Sequence, residues 1–135
     1  MIIDTNVVID LIEANIPSAI HENLLQLAST EKLFVNEIVF AELSCQYESA
    51  EEVRDVLDAA NIRIKRMTLQ DCYRAGVAFR QYRRNGGTRQ SILADFLIGA
   101  HAASQGWPLI TRDRKGFASY FPEVEIIDPY KVTHD

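Results

Sequence analysis

Met1-Ile2-Ile3-Asp4-Thr5-Asn6-Val7-Val8-Ile9-Asp10-Leu11-Ile12 is the stretch that decides the architecture, because an acid stands at the junction of two different periodicities. Met1 to Asp4 reads as a short buried strand that ends in a carboxylate. Asn6 to Ile12 reads as the first helix. A buried strand passing directly into a helix is the opening of an α/β unit, and it leaves Asp4 at the carboxyl end of its strand.

The rest of the chain repeats that grammar. Pro17 suits the first turn of a helix that runs to about Ser29. Leu33 to Val35 is a second strand, and Asn36 is a good N-cap for a helix from about Glu37 to Tyr47. Ser49 with Glu52 three residues later has the form of a capping box, opening a helix to about Ala60. Ile62 to Arg66 alternates like a half-covered edge strand. A long amphipathic helix from about Leu69 to Arg84 is stopped by Asn85-Gly86-Gly87. Ser91 can cap a strongly apolar helix that reaches about Gln105, and Gly106 ends it. Pro108 introduces the strand Leu109-Ile110-Thr111, a short helix occupies about 113–119, and Glu125 to Ile127 closes as a last strand. The expectation is an α/β fold: a single domain over residues 1–135, with a mainly parallel sheet of about four to five strands and helices on both faces.

Composition agrees with one domain. The chain has 135 residues, and 47% hydrophobic content fills one core with no room for a second. Cys45 and Cys72 are the only cysteines, each inside a helical pattern, and read as buried thiols. The amino terminus shows no basic segment ahead of an apolar one, and no apolar run is long enough to span a bilayer. The expected location is therefore cytoplasmic, with no membrane association. With 14 basic and 19 acidic residues the net charge is −5, so overall attraction cannot hold a nucleic acid. A local basic patch would have to do that, and a local surplus of carboxylates would want a cation.

Four acids stand in unusual company. Asp95 lies within Ile92-Leu93-Ala94-Asp95-Phe96-Leu97-Ile98-Gly99-Ala100, a helix apolar nearly all round, where a lone carboxylate is costly unless a cation meets it. An ion pair with Arg80 is the structural alternative. Glu42 sits similarly within Ile38-Val39-Phe40-Ala41-Glu42-Leu43, its alternative being a place on a solvated stripe. Asp4 and Asp113 each follow a strand, where open parallel sheets place ligands, although either acid also suits a helix N-cap. Two acids at strand ends and two on helices can meet in one crevice. There either their pKa values rise or hard cations neutralise them, and all-oxygen ligands favour Mg²⁺ or Mn²⁺ over zinc. His21, His101 and His134 are scattered and form no transition-metal set.

Taken in order, these residues carry a family resemblance. Ile2-Ile3-Asp4-Thr5-Asn6-Val7 resembles the opening motif of PIN domains, with VapC-type toxins as the nearest group. The likeness continues through Ala41-Glu42-Leu43, Asp95-Phe96-Leu97-Ile98-Gly99-Ala100-His101-Ala102, and Leu109-Ile110-Thr111-Arg112-Asp113 with Phe117 beyond. The resemblance implies an endoribonuclease using Mg²⁺ or Mn²⁺, with Asp4, Glu42, Asp95 and Asp113 as the acidic, metal-holding site. Thr5, Asn6 and Thr111 would orient a carboxylate or water. It also implies a homodimer inhibited by a small antitoxin, which would insert a basic residue into the acidic site. Many relatives carry an acid or histidine where this chain has Gly116, which leaves Asp113 alone at that corner.

Phosphodiester hydrolysis suits this inventory, since a bound divalent ion neutralises phosphate charge and activates water. Asp4 and Asp95 would hold the principal metal, Glu42 would share it or act as base, and Asp113 would hold a second ion or a bridging water. RNA contacts are expected from arginines around Gly86-Gly87, including Arg84 and Arg89, and from Arg112 beside Asp113; a solvated helix face is the alternative for Arg80 to Arg84. Two other roles remain open, a PIN-type RNA-processing nuclease without an antitoxin and a non-catalytic PIN-like RNA-binding scaffold. A haloacid-dehalogenase-like phosphatase also begins with a strand ending in Asp, but it needs a second Asp two residues on, where this chain has Asn6.

Overall fold

The computed structural model describes residues 1–131. Within them the chain runs β1 (Ile2–Ile3), α1 (Thr5–Glu13), α2 (Ser18–Thr30), β2 (Leu33–Val35), α3 (Glu37–Ser44), α4 (Ala50–Ala59), β3 (Ile62–Ile64), α5 (Leu69–Arg84), α6 (Ile92–Gln105), β4 (Leu109–Ile110), α7 (Arg114–Ala118) and β5 (Ile126–Ile127). The sheet order is β3-β2-β1-β4-β5 and every neighbouring pair is parallel. In register, Ile2 lies between Phe34 and Leu109. The chain lays down β1 to β3 in one direction and then returns to place β4 and β5 on the other side of β1. Right-handed crossovers in opposite directions put helices on both faces of the sheet. The reversal between β1 and β4 opens a crevice at the carboxyl ends of those strands.

Burial explains why such short strands hold. Ile2, Ile3, Val35, Leu109 and Ile110 are at most 1% exposed, so both sides of the central strands face packed helices. On one side α6 lies close against the carboxyl-terminal region: a Cβ added at Gly99 would stand 2.5 Å from the Phe121 ring. Phe96, Phe117 and Phe121 fill that contact. Gly106, at φ +70°, ends α6 in the left-handed region that a glycine adopts without strain.

Several local expectations are corrected. Pro17 is the N-cap of α2 and not its first turn; at ψ 138° it is extended, and only its carbonyl takes part, accepting from Ile20 and His21. Helix α3 stops at Ser44, where tight turn bonds from Gln46 and Tyr47 replace the helical pattern. The Ser49 hydroxyl does accept from Glu52 N, but the Glu52 carboxylate accepts from Glu48 N instead of closing the box on Ser49. A reciprocal capping box occurs at Thr68 and Asp71. Ser91 already has helical dihedrals (φ −60°, ψ −20°), and its side chain caps nothing. The cysteines are not buried: Cys45 is exposed, beyond the apolar face of α3, and Cys72 is partly exposed on α5.

Candidate active site

The crevice between β1 and β4 is built from helix starts. Asp4 leaves β1 in extended conformation and caps α1, its Oδ1 accepting from Thr5 N at 2.8 Å. Its Oδ2 accepts from the Thr111 hydroxyl at 2.9 Å, which ties the end of β1 to the end of β4. The Thr111 oxygen in turn accepts from Asp113 N at 3.0 Å. Asp113 caps α7 through Gly116 N at 3.2 Å. Both aspartates are thus N-caps, and capping is what places their carboxylates on the crevice. The capping reading of the sequence holds for both, and this geometry leaves the site reading open to them.

From the opposite wall, the Thr5 hydroxyl donates to Glu42 Oε1 at 2.8 Å, so α1 orients a carboxylate carried by α3. Helix α3 is fixed by the fully buried Asn36, whose side-chain oxygen accepts from Ile38 N and Val39 N while its amide donates to His101 Nδ1 at 3.3 Å. His101 is therefore a core residue of α6; its Nε2 lies 3.7 Å from Asp71 Oδ2, too far for a hydrogen bond. His21 donates from Nε2 to Leu11 O. His134 lies outside the described residues. Neither described histidine joins the acids.

Asp95 completes the group from α6. It is only half-buried, with Leu93 of the same turn exposed, which corrects the picture of a helix covered all round. No ion pair forms to Arg80, and among the described residues no salt bridge reaches Asp95 at all. Burial pushes its carboxyl from 3.8 up to about 6, with the charges of Asp4, Glu42 and Asp113 adding to the rise and Arg89 opposing it. Asp4 is raised too, by burial first and by Asp113, against the hydrogen bonds from Thr111 and Thr5 and the charge of Arg112. Asp95 thus feels the other three acids, and Asp4 feels Asp113. They stand apart nonetheless: among the described residues no three His, Cys, Asp or Glu side chains form a ready-made metal cage.

Glu42 is exposed although hydrogen-bonded, so the α3 acid lies on a wet rim and not on a buried face. Asn6 is exposed, with no hydrogen bond to the acids among the described residues. Gly116 has a steric reason to be glycine, since a Cβ there would stand 2.7 Å from Asp113 Oδ2 and displace the capping carboxylate. Of the expected RNA-contacting arginines, Arg89 and Arg112 are among the charges acting on Asp95 and Asp4, whereas exposed Arg84, in the last turn of α5, is not one of them. The larger cavities lie elsewhere, one of about 420 Å³ between α3, α4 and β3 and an apolar one of about 470 Å³ where Leu11, Leu25 and Val56 meet. Sequence reasoning missed Asp10, which is part-buried within the equally apolar Val7 to Ile12 run and hydrogen-bonded to Tyr130; the signal that marked Asp95 was present there as well.

Fold and site define a parallel α/β protein with carboxylates from four elements facing the switch point of its sheet. The chain belongs to the PIN-domain family, whose sequence profile matches residues 1–121. Comparison with curated protein sequences gives no significant match. Among solved structures, VapBC-1 from nontypeable Haemophilus influenzae superposes with TM-score 0.72 at 26% identity, covering 96% of this chain and 98% of that one. VapBC2 from Rickettsia felis, bound to a DNA fragment from its promoter, gives 0.70 at 21% identity over 94% and 96%. FitAcB from Neisseria gonorrhoeae gives 0.70 at 18% over 97% and 99%. No helix among the described residues is long and apolar enough to cross a membrane.

Proposed function

We propose that this chain is a divalent-metal-dependent endoribonuclease, the toxin of a toxin–antitoxin pair. The observation that carries the reading is the convergence of Asp4, Glu42 and Asp113, from three separate elements, on Asp95 of a fourth, which has no salt bridge among the described residues. The donor set fits a hard ion, since every candidate ligand is a carboxylate oxygen and neither described histidine nor either cysteine lies with them. Mg²⁺ or Mn²⁺ bound there supplies charge neutralisation on the phosphate and activation of a water. Asp4 and Asp95 would hold the principal ion, Glu42 would share it or act as base towards a water, and Asp113 would serve a second ion or a water.

The hydroxyls of Thr5 and Thr111 orient Glu42 and Asp4, so the acids are aimed before any ion arrives. An open crevice with Arg89 and Arg112 at its rim suits a polymer better than an enclosed small molecule. Solved relatives include a toxin–antitoxin complex from Klebsiella pneumoniae, with 22% identity and TM-score 0.67. A small antitoxin for this chain would insert an arginine or lysine among the four acids. The family likeness also supports a homodimer.

The test is cleavage of single-stranded RNA with Mg²⁺ or Mn²⁺ against chelator, run beside growth of a bacterial host. Wild type should cut RNA and arrest growth, Asp95→Asn should do neither, and co-expression of the neighbouring gene should relieve the arrest through a stable complex. Arrest by both forms would refute a catalytic toxin. Metal-dependent cleavage without arrest would indicate a processing nuclease.

A further inference from the structure

We infer that Asp10 and Tyr130 form a clamp that holds the Arg112 guanidinium at the rim of the acidic crevice, in place to meet a phosphate of the RNA backbone. This rests on the ribonuclease reading above. Tyr130 lies beyond the 1–121 segment matched by the family profile, whereas Asp10 and Arg112 lie within it.

Three contacts converge. The Tyr130 hydroxyl donates to Asp10 Oδ2 at 2.5 Å. Arg112 Nη1 lies 3.6 Å from the same oxygen. The Arg112 guanidinium stands over the Tyr130 ring, 5.3 Å from its centre. The segment that brings Tyr130 there is itself fastened, because Tyr130 N donates to Asp128 Oδ1 at 2.9 Å and Pro129 O accepts from Asn23 of α2 at 3.2 Å.

Two features separate this arrangement from a tail merely pinned to α1. Asp10 is nearly covered, its side chain 12% exposed, whereas the Arg112 side chain is 48% exposed, so the acid is used up and the base is not. A guanidinium has five N–H donors, and with its side chain 48% exposed Arg112 has donors to offer a phosphate besides the Nη1 contact to Asp10. Arg112 also stands between Thr111 and Asp113, both engaged in the site, and its charge reaches Asp4. A long arginine restrained by a ring and a carboxylate loses less rotamer freedom when a phosphate arrives. Tyr130 and Asp10 are positioning residues that act through Arg112.

The experiment uses the full chain with Mn²⁺ and a labelled mixed-sequence single-stranded RNA oligonucleotide, together with NMR of the Arg112 Nε–H. Tyr130→Phe keeps the ring and removes the hydroxyl. It should raise KM about threefold to tenfold with kcat little changed, the range one lost hydrogen bond supports. Asp10→Asn should do the same and serves if Tyr130→Phe folds poorly. In an Arg112→Ala background the Tyr130→Phe effect should vanish, since contacts in one network do not add. The Arg112 Nε–H should be ordered in wild type and mobile in Tyr130→Phe. A lower melting temperature with unchanged KM, or an equal KM rise in both backgrounds, would overturn the clamp. A wild type that cuts no RNA refutes the nuclease reading alone, and the clamp is then overturned if Arg112 is as mobile in wild type as in Tyr130→Phe.

Discussion

Replacing Asp95 by asparagine should stabilise the chain when no divalent ion is present, although the replacement removes a group needed for function. The folded carboxyl sits at about 6 against an ordinary 3.8 because of burial and three neighbouring acids. Below 3.8 the group is neutral folded and unfolded, so it costs nothing. Between 3.8 and about 6 the folded chain keeps a proton that the unfolded chain has released, and stability falls as pH rises. Above that window the penalty is complete, about 3 kcal/mol if the whole rise counted and about 1 to 2 kcal/mol after solvent screening at a half-buried site. Asparagine keeps the shape and removes the charge. At pH 8 in chelator, Asp95→Asn should melt about 3 to 8 °C above wild type, for a domain of this size. The difference should shrink as pH is lowered and disappear near pH 4. Adding Mn²⁺ should raise the wild-type melt and leave the variant nearly unmoved, because a ligand stabilises only the form that binds it. A variant that melts below wild type at pH 8 would show that Asp95 is a structural partner and refute the repulsion argument.

Gly116→Ala should displace the Asp113 carboxylate from the α7 N-terminus, costing about 1 kcal/mol in urea titrations and lowering metal-dependent cleavage more than binding of RNA. Asn36→Ala should be costlier, about 2 kcal/mol, because two α3 donors and a buried histidine lose their partner together. Burial keeps His101 below its ordinary 6.5 against the charges of Asp71 and Glu37, so stability is full above 6.5 and falls as the unfolded chain takes up the proton at lower pH. Melting curves of wild type and His101→Gln between neutral and mildly acidic pH should differ in slope accordingly. Neutralising Arg89 should reduce the salt dependence of RNA binding by roughly 0.7 on single strands, and neutralising Arg84 should leave it unchanged.

The sequence by itself determined most elements and the fold class, and it singled out the four acids as candidates. Periodicity located α5 from Leu69 to Arg84, and Gly106 marked the end of α6, because helix faces and stops are written in local residue order. Asp4 and Asp95 stood out because a carboxylate in an apolar run demands an explanation wherever the run folds. What only the tertiary structure decided was mutual placement. The return of the chain across β1 to form β4 brings Thr111 to Asp4 over 107 positions, and no local pattern encodes that contact. Capping details failed for a related reason. Ser91 has the right identity for a cap, but its helical dihedrals deny it one, and Glu52 reaches Glu48 because incoming backbone direction selects the donor. Cys45 is exposed because packing against α1 and α6 fixes which side of α3 is covered, and composition cannot see which neighbour arrives. The clamp of Asp10, Arg112 and Tyr130 joins residues from α1, the end of β4 and the carboxyl-terminal segment. Arg112 and Tyr130 are ordinary in their own stretches of sequence and Asp10 is marked only by its apolar neighbours, so the charge pairing that gives them meaning exists only after the sheet has brought the three segments together.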